Sequence, residues 1–372
     1  MVKTNKANPD YILMGITGLL IVFGIIILAS TATSIPPDKF GSNYYFLNHQ
    51  IIFGLIPGLL LGLFLLKLRL SLLKKIAPVL LIVNIILMML VFVPKIGMKS
   101  GGTARWISLG FLSFQPSEFL KITFILYLAS WLESRKKHAY LSEREKEFKE
   151  SLIAFSIIIG LITALLALQS DISTLIVIVS TGILMYFFAE TPIWHIVLIG
   201  IMGIVILLFL IQQAPYRMQR ILVFLNPEKD PMGLGYQIKQ SLIAVGSGGL
   251  FGIGLGMSQQ KFGLLPHPAS DSVFAILAEE TGFVGSTVLI FLFLLFLWEG
   301  YKIGRESHSL FSKLTALGIT SWIILQAFIN IGAMIGILPL TGIPLPFISY
   351  GGSALLAELA GIGILLNISK HI

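Results

Sequence analysis

Residues 270–298 read SDSVFAILAEETGFVGSTVLIFLFLLFLW. From Val273 onward the stretch stays apolar for longer than the roughly 20 residues a helix needs to cross the hydrocarbon core of a bilayer. Immediately before it stands a carboxylate, Asp271, flanked by Ser270 and Ser272 and preceded by Pro266 and Pro268. What an aspartate does at the rim of a membrane helix depends on which side of the membrane the rim lies, and on what else gathers there.

Of the 372 residues, 56% are apolar and 12% are charged, against roughly 45–50% and 25% in a soluble domain. The chain therefore reads as an all-α polytopic membrane protein forming a single domain over residues 1–372. Apolar runs predict ten transmembrane helices, at 11–31, 48–66, 76–94, 118–133, 151–169, 172–190, 193–213, 273–299, 314–334 and 347–368. The pair on either side of Asp171 also reads as one broken helix. Lys3 and Lys6 ahead of an apolar run and the sequence ASTA imitate a signal peptide. That run is longer than the usual ~7–15-residue apolar core, so it reads as the uncleaved first span. Cysteine is absent, which removes disulfides and thiolate chemistry. The net charge of +8 is read as topology rather than as nucleic-acid binding.

Lys67, Arg69, Lys74, Lys75, Arg135, Lys136 and Lys137 fall on one side if both termini are cytoplasmic, and that side then holds the larger share of Lys and Arg. Two segments become external: 95–117, and a large loop, 214–272, that ends beside Asp271 before the eighth helix. The charged run 133–150 reads as a solvated cytoplasmic helix.

The first external segment turns at Gly101-Gly102, presents Arg105 beside Trp106, and opens the next helix with Gln115-Pro116-Ser117. Glu118 and Lys121, three residues apart on that helix, are spaced to pair, and an ion pair at that depth is a functional candidate by default. Trp106 equally suits an interfacial anchor. Arg217 and Arg220 lie on a segment with the pattern of an amphipathic surface helix. The glycine-dense GSGGLFGIGLG (246–256) lacks the context of a nucleotide motif and reads as a place of close approach. LPLTGIPLPFISYGG (338–352) breaks the apolar pattern with prolines, which is tolerated at membrane depth only against protein or a wet cavity.

Cations at an external membrane surface suit a phosphate-bearing lipid, and one carboxylate suits a general base. Hydrolysis of an ordinary glycoside takes two carboxyl groups. A sugar on pyrophosphate already has a good leaving group and needs charge neutralisation, from Arg or Lys or from a divalent cation such as Mg2+ or Mn2+. The residues thus fit glycosyl transfer from a lipid pyrophosphate, and a lipid transporter would carry much the same charges.

Four segments carry a resemblance: GGTARWISLGFLSFQPSEFLKI (101–122), YRMQRILVFLNPEKDPMGLGYQIKQSLIAVGSGGLFGIGLGMSQQKFGLLP (216–266), DSVFAILAEETGFVG (271–285) and NIGAMIGILPLTGIPLPFISYGGSAL (330–355). In this order they resemble the SEDS family (shape, elongation, division and sporulation) of the FtsW/RodA type. The resemblance implies a peptidoglycan glycosyltransferase that polymerises lipid II into glycan strands at the outer face of the bacterial cytoplasmic membrane, beside a class B penicillin-binding protein and other divisome or elongasome proteins. A lipid-II flippase is the alternative. The resemblance implies Asp271 as the catalytic carboxylate and carries over Arg105, Gln115, Glu118, Lys121 and Arg220 as substrate-binding residues; Trp106, Asp171 and Lys261 join them as candidate substrate-binding residues from their own chemistry and position. The chain departs from the family's PExHTDFIF by having His267, Ala269, Ser270 and Ser272, and from QPDxGT by having Ser170 and Ser173. Asp271 and Asp171 survive both departures.

Overall fold

The computed structural model describes residues 8–32, 44–100, 103–110, 112–139 and 144–372. The turn expected at Gly101-Gly102, and the basic Lys3 and Lys6, lie outside the described residues. The helices are α1 (Tyr11–Ala32), α2 (Tyr45–Lys67), α3 (Leu70–Leu90), α4 (Pro116–Ala139), α5 (Arg144–Leu168), α6 (Ile172–Phe188), α7 (Ile193–Gln212), α8 (Pro215–Leu225), α9 (Leu234–Ser247), α10 (Val273–Glu306), α11 (Leu310–Met334) and α12 (Gly352–Ser369). By length and composition, α1, α2, α3, α7, α10, α11 and α12 are each able to cross a bilayer. The apolar stretches Phe155–Leu168 of α5 and Ile172–Phe188 are shorter. Large apolar side chains such as Leu60, Phe64, Ile82, Ile204, Phe291 and Trp298 face outward, a surface that only lipid covers at no cost. The protein is a helical, multi-pass membrane protein with α11 and α12 mostly buried at its centre.

Several expected boundaries move. The helix expected at 76–94 is Leu70–Leu90, so Lys74 and Lys75 sit in its first turns rather than in a loop. The span expected from 347 starts at Gly352, because Pro344, Pro346 and a positive φ at Phe347 interrupt the backbone ahead of it. The long segment 214–272 contains two helices, α8 and α9. Within the α2 helix, a π-helical stretch at Ile51–Leu55 precedes Pro57. Proline lacks the N–H of a regular turn, and a widened turn accommodates it.

The all-α membrane architecture holds, with one small addition in an external segment. Segment 95–117 is a small antiparallel sheet, β1 (Gly97–Ser100), β2 (Thr103–Leu109) and β3 (Leu112–Phe114), in the order β1-β2-β3. Its register pairs Met98 with Trp106 and Ile107 with Phe114. The sheet fixes the direction in which Arg105 leaves the chain.

Two close approaches shape the bundle. A Cβ on Gly363 would lie 2.3 Å from the Gly62 carbonyl oxygen, so α2 and α12 meet backbone to backbone. The second is at Gly282, where α10 breaks with φ +66°. There the glycine-rich segment 248–256 lies against the break. Ile253 and Gly254 N–H groups donate to the Glu279 and Glu280 carbonyls, and Phe283 and Val284 donate back to Gly249 and Leu250. The backbone groups freed by the break are thus satisfied by protein, as membrane depth requires, and a Cβ on Gly282 would come within 2.2 Å of the Gly252 nitrogen.

Candidate active site

Asp271 sits in the last turn of chain before α10, and a web of backbone bonds holds it there. Ser270 and Ser272 N–H groups both donate to the His267 carbonyl, itself at φ +54°. Tyr350 N–H donates to the Ala269 carbonyl at 2.8 Å and the Ser349 hydroxyl to the Ser270 carbonyl at 2.6 Å. The interrupted segment before α12 therefore serves as a rigid backing for the aspartate.

The Asp271 carboxylate opens into a cavity of about 180 Å³, whose walls include Arg220 of α8, Gln237 of α9, His267, Asn330 of α11, and Thr341 and Gly342. A Cβ added at Gly342, where φ is +71°, would lie 3.4 Å from Asp271 Oδ2. Arg220 Nη1 donates to the carbonyls of Leu340 and Thr341, each at 3.2 Å, so the guanidinium both pins this loop and lends the cavity its positive charge. Burial pushes the Asp271 carboxyl above its ordinary value. His267, Arg220, Arg105 and a Ser270 hydrogen bond oppose that shift without cancelling it. Burial lowers the Arg220 value in turn. Burial would raise the Tyr216 phenol, but hydrogen bonds with Ser170 and Arg217 and the fields of Arg217 and Arg105 hold it below its usual value. The mouth of the site is electropositive.

Arg105 projects from β2 to the C-terminal end of α5. Its Nε donates to the Gln169 carbonyl at 3.0 Å and its Nη2 to the Ser170 carbonyl, where a helix end leaves acceptors unsatisfied. Two of the five donors of the fork are used in this way. Trp106, beside it, is partly buried on the sheet. Gln115 donates through Nε2 to the Ser117 hydroxyl at 2.9 Å.

The structure does not bring every expected residue to the cavity. Asp171 is the N-cap of α6. Its side chain accepts from Thr174 N–H at 3.3 Å, from the Thr174 hydroxyl at 2.9 Å and from the Ser117 hydroxyl at 3.1 Å. It splits α5 from α6 and ties both to the start of α4, as a capping carboxylate does. Glu118 and Lys121 form a buried ion pair at 2.7 Å. The Lys121 ammonium also donates to Gln326 Oε1 at 2.9 Å and lies 5.1 Å from the Trp322 ring centroid. Lys261 is likewise sealed. It pairs with Glu280 at 2.9 Å, both side chains 0% exposed, and donates to Ser30 Oγ and the Gly256 carbonyl.

Residues not singled out from sequence as part of the site, namely Gln237, Asn330 and Thr341, line the cavity, and His267 joins them despite Pro268. One signal was available for α11. Gln326 and Asn330, four residues apart in an apolar helix, share a face. Their amide nitrogens donate to the carbonyls of Pro344 at 3.0 Å and Ile343 at 2.7 Å.

Among the described residues, no three or more His, Asp or Glu gather to hold a metal ion. Mg2+ is commonly held by one or two carboxylates together with substrate phosphates, and Asp271 is the carboxylate in the cavity wall that could serve.

Replacing Arg105 by Ala is expected to weaken binding of a lipid pyrophosphate, and Lys is expected to recover only part, because the planar fork is lost. Equal lipid affinity in wild type and the Ala variant, measured in detergent, would reject that role.

The FtsW/RodA/SpoVE profile, described as cell cycle protein, matches residues 11–372. The chain is 40% identical over 369 residues to stage V sporulation protein E of Bacillus subtilis, covering 99% of each. It is 41% identical over 356 residues to the probable peptidoglycan glycosyltransferase FtsW of Coxiella burnetii, covering 94% of this chain and 93% of that one. Among solved structures, a chain of a peptidoglycan synthase complex that coordinates polymerization and crosslinking superposes with TM-score 0.78 at 28% identity, covering 97% of this chain and 98% of that one. RodA of Thermus thermophilus superposes with TM-score 0.70 at 27% identity, covering 97% of each. A profile match over nearly the whole length, with relatives at this identity and coverage, places the chain in the FtsW/RodA/SpoVE family, the SEDS proteins.

Proposed function

We propose that this chain is a peptidoglycan glycosyltransferase that polymerises lipid II into glycan strands, with Asp271 as its general base. The observation that carries the reading is a single carboxylate, its affinity for protons raised, in a cavity walled by Arg220. In the reaction the acceptor sugar's 4-hydroxyl attacks the anomeric carbon of the donor. Its proton passes to the Asp271 carboxylate, and the bond to pyrophosphate breaks with inversion. One base suffices because the pyrophosphate leaves without being protonated. Arg220 and Arg105 supply the positive field that favours its departing charge. Lys121 is spent on Glu118 and Gln326, so the pyrophosphate contacts fall to the arginines. A divalent cation bound by Asp271 and the lipid phosphates would supply the same neutralisation.

The enzyme works in the bacterial cytoplasmic membrane with its cavity on the external face. A class B penicillin-binding protein beside it crosslinks the strand, within the divisome or elongasome. A flippase would need a polar route through both leaflets. The deep carboxylates Glu279 and Glu280 are tied to Ser258, Gln259, Lys261 and Ser30, which favours the enzyme.

The decisive assay is the purified chain with its transpeptidase partner and labelled lipid II in detergent, where there are no sides to transport between. Glycan polymer is expected. Its absence with a competent partner would overturn the reading. The pH profile follows from the Asp271 environment. The base must be ionised, so activity should fall as pH drops through a value above the ordinary 3.8 of an aspartate. Removing the nearby cation with Arg220→Ala should move that acid limb to higher pH still. A limb that stays in place in this variant would show that another group titrates.

A further inference from the structure

One wall of the Asp271 cavity is left unused by this chemistry. Asn330 on α11 is 2% exposed and lines the cavity. Its Nδ2 donates to the carbonyl of Asp271 at 2.9 Å and to that of Ile343 at 2.7 Å. Both partners are acceptors, which fixes the end of the amide that is nitrogen. The other end, Oδ1, is then a buried acceptor that no donor reaches. A few other buried polar atoms also lack a partner, among them Asn84 Oδ1, Gln169 Oε1 and Thr181 Oγ1. Of these atoms among the described residues, Asn330 Oδ1 alone belongs to a residue lining the Asp271 cavity. Native proteins pair nearly all buried acceptors, and each exception calls for a reason. Here the reason is next door: Asn330 holds the backbone of the catalytic residue with one end of its amide and has the other end to spare.

We propose that Asn330 is a substrate-binding residue of the Asp271 cavity, its Oδ1 accepting a hydrogen bond from a hydroxyl or amide N–H of the bound sugar. The proposal rests on the glycosyl-transfer reading. The amide has no charge to draw pyrophosphate, and its free end accepts only, so its ligand is a neutral donor, which a sugar carries and a phosphate diester does not. Because Nδ2 bridges Asp271 to Ile343, a sugar bound at Oδ1 is registered against the base through a single rigid side chain.

The test uses the chain with its transpeptidase partner, lipid II, and lipid II analogues that each lack one sugar hydroxyl or have the acetamido N–H methylated. With the wild-type chain, one analogue should lose about tenfold in kcat/KM, as expected when a buried acceptor is left unpaired. Asn330→Ala should lose activity on lipid II and show no further loss on that same analogue, the others keeping their wild-type ratios. Asn330→Ser keeps a small hydroxyl to donate to one of the two carbonyls. It serves where Ala does not yield folded protein, with the same expected loss of discrimination. If every analogue keeps its wild-type ratio in the folded variants, Asn330 is only a clamp and the proposal fails. If the wild-type chain makes no polymer from lipid II at all, the glycosyl-transfer reading fails first.

Discussion

Asp271→Asn is expected to lower lipid II polymerisation by about 10²–10⁴-fold or more, the usual contribution of a general base. The substitution keeps the shape of the side chain, and the bond from Asn330 goes to the backbone carbonyl of residue 271. Folding and lipid binding should therefore survive, and the loss should fall on kcat. Asp271→Glu keeps the base but displaces it by a methylene, and misplacement on that scale can cost about 10²-fold. If a divalent cation held by Asp271 carries the pyrophosphate charge, the Asn variant should regain part of its activity as Mg2+ or Mn2+ is raised. An Asn variant that polymerises at the wild-type rate would leave Asp271 as an element of helix-start geometry alone.

The parts of this arrangement that sequence reveals are those governed by local chemistry. Apolar length marks the helices because lipid imposes it on each segment separately. Prolines 339, 344 and 346 mark the interrupted stretch that backs Asp271, because each removes an N–H wherever it stands. What stays hidden is set by partners distant in the chain. Nothing in VFAILAEETGFVG announces that α10 breaks at Gly282. The break depends on backbone groups of residues 249–254 arriving to bond it, and the glycines of that segment signal only that something approaches closely. Charged residues announce only partners close in sequence, as the spacing of Glu118 and Lys121 does. Asp171, Glu118, Lys121 and Lys261 all read from sequence as candidates for the substrate site, yet a helix cap and two buried ion pairs absorb them. The sheet around Arg105 escapes a helix-centred reading because its strands are only three to seven residues long.

Lys261 gives the sharpest contrast between a binding role and a structural one, and Lys261→Met is expected to destabilise the folded protein by about 3–5 kcal/mol. The physical reason is the partner left behind. The Glu280 carboxylate would keep the Ser30 hydroxyl at 2.6 Å and the more distant Ser258 N–H at 3.4 Å. It would have lost the cation that makes a buried charge tolerable. Adding Glu280→Gln to Lys261→Met removes the stranded charge, and much of the stability should return, since a buried pair exchanged for neutral groups often costs little. Thermal unfolding in detergent, followed together with lipid II affinity, separates the alternatives. A lysine that held substrate pyrophosphate would give a single variant with an unchanged melting temperature and lost affinity, and the second substitution would restore nothing. The structural role predicts the reverse order of effects, with activity following stability. Glu280 lies two residues before the Gly282 break, and its carbonyl receives the Gly254 N–H. The Lys261–Glu280 pair therefore seats the glycine-rich segment on α10, the helix that begins two residues after Asp271, and loosening that seat should reach the Asp271 carboxylate through α10 rather than through the substrate.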